Sequence, residues 1–441
     1  LNDEEVFSTM EKKLSLVYCF FLLLFSIADG HASALNPAQA VPDIPSSGEV
    51  TLEQCVAVAL ERNLLLQSSL NLQQAAGARV RIARNFAQPS LEIDSDLQPG
   101  FMDFRGSQES YLGFGWGLEF PGKRSLRGRI AEREQEQAGT QTELLKLDII
   151  YQVKQAFYRL LLAQEILKYA EQDQELARDY LKKAEIKFEA GDVSRAEVLR
   201  ARVEAARAET SVRAAANEVG LARMKLNFLM SRDKNESLTV RGEFKKAMPV
   251  SVLEELQEKA RKTRPEVRRL DLALSQERLR KTLASFSYLP DFGFSLSRHR
   301  LEGIPRTWDL RLSLALPLFF WQPARGEIAE ARFNLEALEH EKSYAANEVS
   351  LEVEEAYANA LMARRQIELF EREILAQAEE AYNMFLFSYQ EGEVGGIDLI
   401  EARRTLIEAR KSYADSLYNF TVGLAALERA VGSDLEDVPH E

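Results

Sequence analysis

The stretch Ser110-Tyr111-Leu112-Gly113-Phe114-Gly115-Trp116-Gly117-Leu118-Glu119-Phe120-Pro121-Gly122-Lys123-Arg124-Ser125 changes its periodicity halfway along. Leu112, Phe114, Trp116, Leu118 and Phe120 take every second position, with Gly113, Gly115, Gly117 and Glu119 between them. That is the period of a strand with one apolar face. Pro121-Gly122 stops the strand. From Ser125 to Phe188 there is no proline, and Leu144, Leu147, Ile150, Tyr151, Phe157, Tyr158 and Leu161 keep helical spacing. At about 1.5 Å per residue, roughly 65 residues make a helix near ~95 Å. A strand greased on one side, joined to a very long polar helix, predicts a mostly α chain with a β part that meets lipid.

The proline and glycine punctuation occurs twice, at an offset of roughly 200 residues. Arg62-Asn63-Leu64 corresponds to Thr263-Arg264-Pro265, Pro89-Ser90-Leu91 to Pro290-Asp291-Phe292, and Phe120-Pro121 to Leu316-Pro317. Arg127-Gly128-Arg129-Ile130-Ala131 corresponds to Arg325-Gly326-Glu327-Ile328-Ala329, and Phe188-Glu189-Ala190-Gly191 to Tyr389-Gln390-Glu391-Gly392. Each half reads helix, strand, loop, strand, long helix, glycine turn, long helix. The division expected is an upstream extension with signal peptide over 1–34, a linker over 35–50, a first repeat over 51–249, a second over 250–432, and a tail over 433–441. The strands fall near 90–98, 110–120, 291–298 and 308–316. Thr51-Leu52-Glu53-Gln54 reads as a capping box opening a helix that runs to Ala87 with a bend near Asn63. Ser237 to Arg241 reads as a short strand lying outside the helices.

The 441 residues carry a net charge of −13 and are 46% hydrophobic, enough for a large core and too acidic for a general nucleic-acid binder. Met10-Glu11-Lys12-Lys13, the apolar run Leu14 to Ile27 and Ala32-Ser33-Ala34 form a secretory leader pattern, with Met10 as initiator and cleavage after Ala34. Cys19 lies in that run, which leaves Cys55 as the one cysteine of the mature chain, expected to be buried. No internal disulfide is then available, and stability rests on packing or assembly. His299 is expected in an external loop and His340 on a helix surface.

The second hairpin repeats the face pattern. Phe292, Phe294 and Leu296 alternate with Asp291, Gly293, Ser295 and Ser297, and Trp308, Leu310, Leu312, Leu314 and Leu316 with Asp309, Arg311, Ser313 and Ala315. Apolar side chains in register opposite charged ones are expected of lipid outside and water inside. Trp116, Phe120, Trp308, Phe319, Phe320 and Trp321 crowd the strand ends, as interfacial aromatic belts do. Four strands cannot close a barrel, and open edges are not tolerated in lipid. The chain is therefore expected to share a barrel with copies of itself.

On these features the chain resembles an outer-membrane efflux protein of the TolC family over its whole mature length. Phe120-Pro121-Gly122-Lys123-Arg124 is similar to the Gly-Gly-Lys-Arg segment of the heavy-metal (CzcC-like) branch, with Pro121 in place of one glycine. The resemblance implies a homotrimer with a shared twelve-stranded β-barrel on an α-helical periplasmic tunnel. It implies a passive exit duct for small substrates, metal cations among them, without cofactor or chemistry. Its partners would be outer-membrane lipid, a periplasmic adaptor and an inner-membrane transporter of RND type. A type I protein secretion duct and a periplasmic coiled-coil scaffold without a pore are the alternative readings.

The two turns carry the remaining expectation. Gly191-Asp192 with Glu197, and Gly392 with Gly395, Gly396, Asp398 and Glu401, share a glycine and an acid six places on. Under threefold symmetry Asp398 and Glu401 would form acidic rings that attract cations. The resemblance implies that these two are aperture acids, that Tyr389 links to Glu197 in the closed state, and that the glycine turns face the adaptor. It also expects an arginine two places after Gly392, where this chain has Val394, and Gly395-Gly396 is a departure expected to loosen the turn. Acids of this kind also simply favour helix amino-terminal ends. No catalytic constellation and no metal-ligand spacing is present in the sequence.

Overall fold

The structure, a computed structural model of one chain, describes residues 49–96, 109–246, 252–301, 303–305, 307–316, 319 and 323–435. The expected leader, most of the linker, the aromatic residues Phe320 and Trp321, and the end of the tail lie outside the described residues.

Where the linker was expected to end, Glu49–Val50 (β1) pairs in parallel with Thr239–Val240 (β4). Val50 and Val240 are both buried, so burial of two valines at a helix surface draws the two segments together. The short strand expected over Ser237 to Arg241 is thus narrower than the sequence suggests. The Thr51 amide donates to Gln54 Oε1 at 3.0 Å at the start of α1 (Leu52–Arg62). Asn63 breaks the expected single helix in two: its Oδ1 accepts from the Leu65 and Leu66 amides at 3.0 and 3.3 Å and so caps α2 (Leu64–Arg84).

The hairpin of β2 (Ser90–Asp96) and β3 (Glu109–Leu118) follows, then α3 (Lys123–Ala190) and α4 (Arg195–Leu229). The second half runs α5 (Leu253–Thr263), α6 (Pro265–Ser285, proline at its first position), β5 (Asp291–Leu301) and β6 (Thr307–Ala315). It continues as α7 (Pro323–Leu369), a π-helical turn (Phe370–Ile374), α8 (Leu375–Glu391) and α9 (Gly396–Val431). At 68 residues α3 is about 100 Å long. No described helix is long and apolar enough to cross a membrane.

The long helices pack as coiled coils. Ala156, Ala163, Ala170, Ala177 and Ala184 of α3 are buried at intervals of seven, as are Ala201, Ala208, Ala215 and Ala222 of α4. Small residues at heptad positions let the two backbones approach closely and keep one seam facing the partner. One apolar core lies where Leu256, Val353, Phe420, Leu424 and Leu427 of α5, α7 and α9 meet. A second lies at the turns, around Tyr180, Ala201, Tyr389, Leu399 and Leu406.

The sheet has the order β2-β3-β5-β6, antiparallel throughout. Its register puts Leu91, Phe114, Leu296 and Leu310 in one row, and Leu118, Phe292 and Leu314 in another row of the same face. Among the described residues no element covers that face: Leu91 is 70% exposed, Ile93 71% and Leu312 75%. The opposite face carries Glu92, Asp94, Tyr111, His299, Asp309 and Arg311. His299 is therefore not in a loop. β5 extends past the expected residue 298 to Leu301, and the His299 ring stacks on Tyr111 with centroids 4.2 Å apart, its Nε2 3.0 Å from Glu109 Oε1. Ring stacking and the carboxylate hold the strand pairing beyond the point where apolar alternation ends.

Candidate functional site

The two turns are built alike. Gly191 and Gly392 end α3 and α8 in the left-handed conformation, with φ of 85° and 82°, which glycine adopts without Cβ strain. Beyond them the Asp192 amide donates to the Lys187 carbonyl at 2.8 Å, and the Glu393 amide to the Ser388 carbonyl at 2.9 Å, closing both helix ends in the same way. Each chain then re-enters a helix with an acid at the third position, Glu197 in α4 and Asp398 in α9. There the helix dipole favours negative charge.

The turns meet through Tyr389. This tyrosine is 2% exposed, and its hydroxyl donates to Glu197 Oε1 at 3.0 Å, joining the end of α8 to the start of α4. Burial, then the hydrogen bond to Glu197, hold the Tyr389 phenol well above its ordinary pKa, so it stays a donor. Lys187 Nζ donates to the Tyr389 carbonyl at 2.6 Å and sits over its ring, 4.9 Å from the centroid. The Tyr180 ring packs against Tyr389 at 5.5 Å, and burial, with the Glu197 charge second, pushes its phenol up to about 12.

Gly396 is buried here for a steric reason. A Cβ at this position would collide with the Tyr180 hydroxyl and lie 2.7 Å from Glu197 Oε1. The expectation that Gly395-Gly396 loosens the turn therefore needs correcting for Gly396, because its missing side chain makes room for the tyrosine pair. Gly395 takes the place that Ser194 has in the first turn, with nearly the same extended backbone. Val394, where the family pattern has arginine, packs against the apolar cluster. Asp398 and Glu401 lie exposed on the first two turns of α9, and the structure does not join them to Tyr389 or Glu197.

Just inside the turns lies a charge network that single-residue reading of the sequence misses. Buried Arg403 of α9 donates to Asp173 Oδ1 of α3 at 2.7 Å and to Glu204 Oε2 of α4 at 3.0 Å, and Arg404 reaches Glu204 Oε1 at 2.6 Å. Burial raises the Asp173 pKa, against the pull of Arg403. A signal existed: Glu204 lies three places after Ala201, a core position of the α4 heptads, where a charge needs a partner. Among the described residues, no group of three or more His, Cys, Asp or Glu side chains is placed to hold a metal ion.

Of the remaining expected residues, Trp116 and Phe120 lie at the helix end of the sheet. Trp116 Nε1 donates to the Ala87 carbonyl at 2.7 Å, and Phe120 packs on Phe292 and Phe286. Trp308 lies at the opposite end, beside Arg298, and Phe319 is exposed beyond β6.

Long heptad helices, a sheet with one bare apolar face and paired glycine turns at the far ends of the helices define an outer-membrane channel of the efflux type. The chain belongs to the outer membrane efflux protein family, whose model matches residues 56–232 and 256–433. It is similar to the cobalt-zinc-cadmium resistance protein CzcC of Cupriavidus metallidurans, at 25% identity over 429 residues, 95% of this chain and 98% of the relative. Among solved structures, CusC matches with a TM-score of 0.73 at 16% identity, covering 87% of this chain and 92% of that one. The outer-membrane channel OprN also matches at 0.73, with 20% identity and 90% and 99% coverage. The protein is thus an outer-membrane protein with helices extending into the periplasm, in a family of channels and not of enzymes.

Proposed function

We propose that three copies of this chain form the passive exit duct of a tripartite efflux system. Each would contribute β2, β3, β5 and β6 to a shared twelve-stranded barrel, with the tandem repeats 51–249 and 250–432 supplying the wall of a helical tunnel. The observation that carries this is the sheet itself. Among the described residues its apolar face is uncovered, its other face is charged, and β2 and β6 leave both edges open to a neighbouring copy. Lipid on one side, water on the other and strand pairing between chains satisfy all three features together.

A periplasmic adaptor would dock at the turns of Gly191-Asp192 and Gly392 to Gly396, and an RND-type transporter would supply the energy. The aperture opens when the tyrosine–acid link between α8 and α4 breaks and the helices at the turns separate. Asp398 and Glu401, exposed near that mouth, would select for cations. The name of the cobalt-zinc-cadmium resistance relative supports divalent metal ions as the cargo. The test is the mass of the purified protein in detergent with planar-bilayer conductance from the same sample. A trimer with discrete cation-selective steps is expected; a monomer without conductance would overturn the shared barrel.

A further inference from the structure

The bare apolar face does not stay apolar to its end. From the helix side its rows run Leu118, Phe292 and Leu314, then Trp116, Phe294 and Leu312, then Phe114, Leu296 and Leu310. The next row holds Leu112, Arg298 and Trp308, and the last holds Ser95, Ser110 and Arg300. Two arginines thus stand on the lipid-facing side of one strand, two residues apart and on the same face. Both are exposed, and among the described residues neither guanidinium pairs with a carboxylate. They border a shallow groove shared with Ile93, Asp94, Ser95, Ser110, Tyr111 and Leu112. The Arg298 guanidinium lies 5.7 Å from the centre of the Trp308 ring, which holds it at the edge of the apolar band.

Because the helices extend into the periplasm, this edge of the sheet is the outer one, at the level of the outer-leaflet headgroups. We propose that Arg298 and Arg300 form a binding site for a phosphorylated headgroup of outer-leaflet glycolipid, its acyl chains lying along Leu112, Phe114 and Leu296. An arginine fork matches phosphate oxygens in pairs, and the Ser110 hydroxyl on the neighbouring strand supplies a further donor. β5 has β3 on one side and β6 on the other within the same chain, so a neighbouring copy pairing at the sheet edges leaves the site open to lipid. The inference rests on the reading of this face as the lipid side of a barrel.

The experiment is titration of the full-length protein in detergent with bis-phosphorylated lipid A and with the same lipid dephosphorylated, read by native mass spectrometry. Planar-bilayer conductance is measured on the same samples. The wild type is expected to prefer the phosphorylated lipid by about thirtyfold, and Arg298→Gln with Arg300→Gln to lose that preference while conductance stays unchanged. Equal binding of both lipids by a conducting wild type, or an undiminished preference in a conducting double variant, would overturn the site. Release of the lipid by millimolar inorganic phosphate would mean a generic anion site and would overturn the glycolipid assignment. Loss of conductance in the wild type would instead sink the barrel reading beneath it.

Discussion

Tyr389→Phe tests the proposed gate directly, because it removes one hydroxyl and leaves the ring. The remaining phenyl ring keeps the tilted packing against Tyr180 and the contact with Lys187, so packing of the turns is conserved. What is lost is the 3.0 Å hydrogen bond to Glu197. A hydrogen bond to a charged partner contributes about 1.5–3 kcal/mol, and the half-buried Glu197 argues for the lower end, about 1.5 kcal/mol. If each chain opens alone, the open fraction should rise about tenfold. If the three chains of a trimer open together, the losses add to about 4.5 kcal/mol, and the rise is on the order of a thousandfold. Open probability in planar bilayers reads this directly, with uptake of a large, normally excluded antibiotic as the cellular counterpart. Glu197→Gln keeps an acceptor without the charge and should give a smaller rise. Unchanged open probability in Tyr389→Phe, with the oligomer and Tm intact, would refute the reasoning.

Four further outcomes are expected, two at the turns and two elsewhere in the helices. Gly396→Val should displace Tyr180 and Glu197 and produce a leakier channel than Gly395→Val, measured as resting conductance. Asp398→Ala with Glu401→Ala should weaken block by di- and trivalent cations; unchanged block would remove both from the aperture. Arg264 is 2% exposed and donates to the Arg429 carbonyl at 2.8 Å and to Glu352 Oε2 at 2.9 Å. Arg264→Ala should therefore cost about 3–5 kcal/mol, seen as a large drop in Tm. Burial pushes the Cys55 thiol from 9.0 up to about 12. A raised folded pKa means that its contribution is complete below about pH 9 and is lost as pH rises through about 12. Cys55→Ala should accordingly flatten the fall of Tm between those values, and an unaltered slope would count against burial of the thiol.

Much of this molecule is written in short-range pattern. The alternation of Leu112, Phe114 and Trp116 specifies a strand and its apolar side, because successive side chains point to opposite faces whatever surrounds them. Gly191 and Gly392 mark the turns because a left-handed helix end excludes most other residues. Glu197 and Asp398 follow them because a helix start favours an acid. These are properties of neighbours in the chain, legible without any long-range contact. The rest needed the tertiary structure. Gly396 looks like a flexible turn residue until Tyr180, from a helix more than 200 residues earlier, is found against it. Arg403, Glu204 and Asp173 form one network only because three helices are rotated to bring these faces together. His299 lies on the polar face of β5, and Arg298 at the edge of the apolar band, by virtue of a register set between strands. Periodicity tells which side of an element is apolar, but heptad phase and strand register decide which distant side chain it meets, and both are fixed by packing across the whole chain.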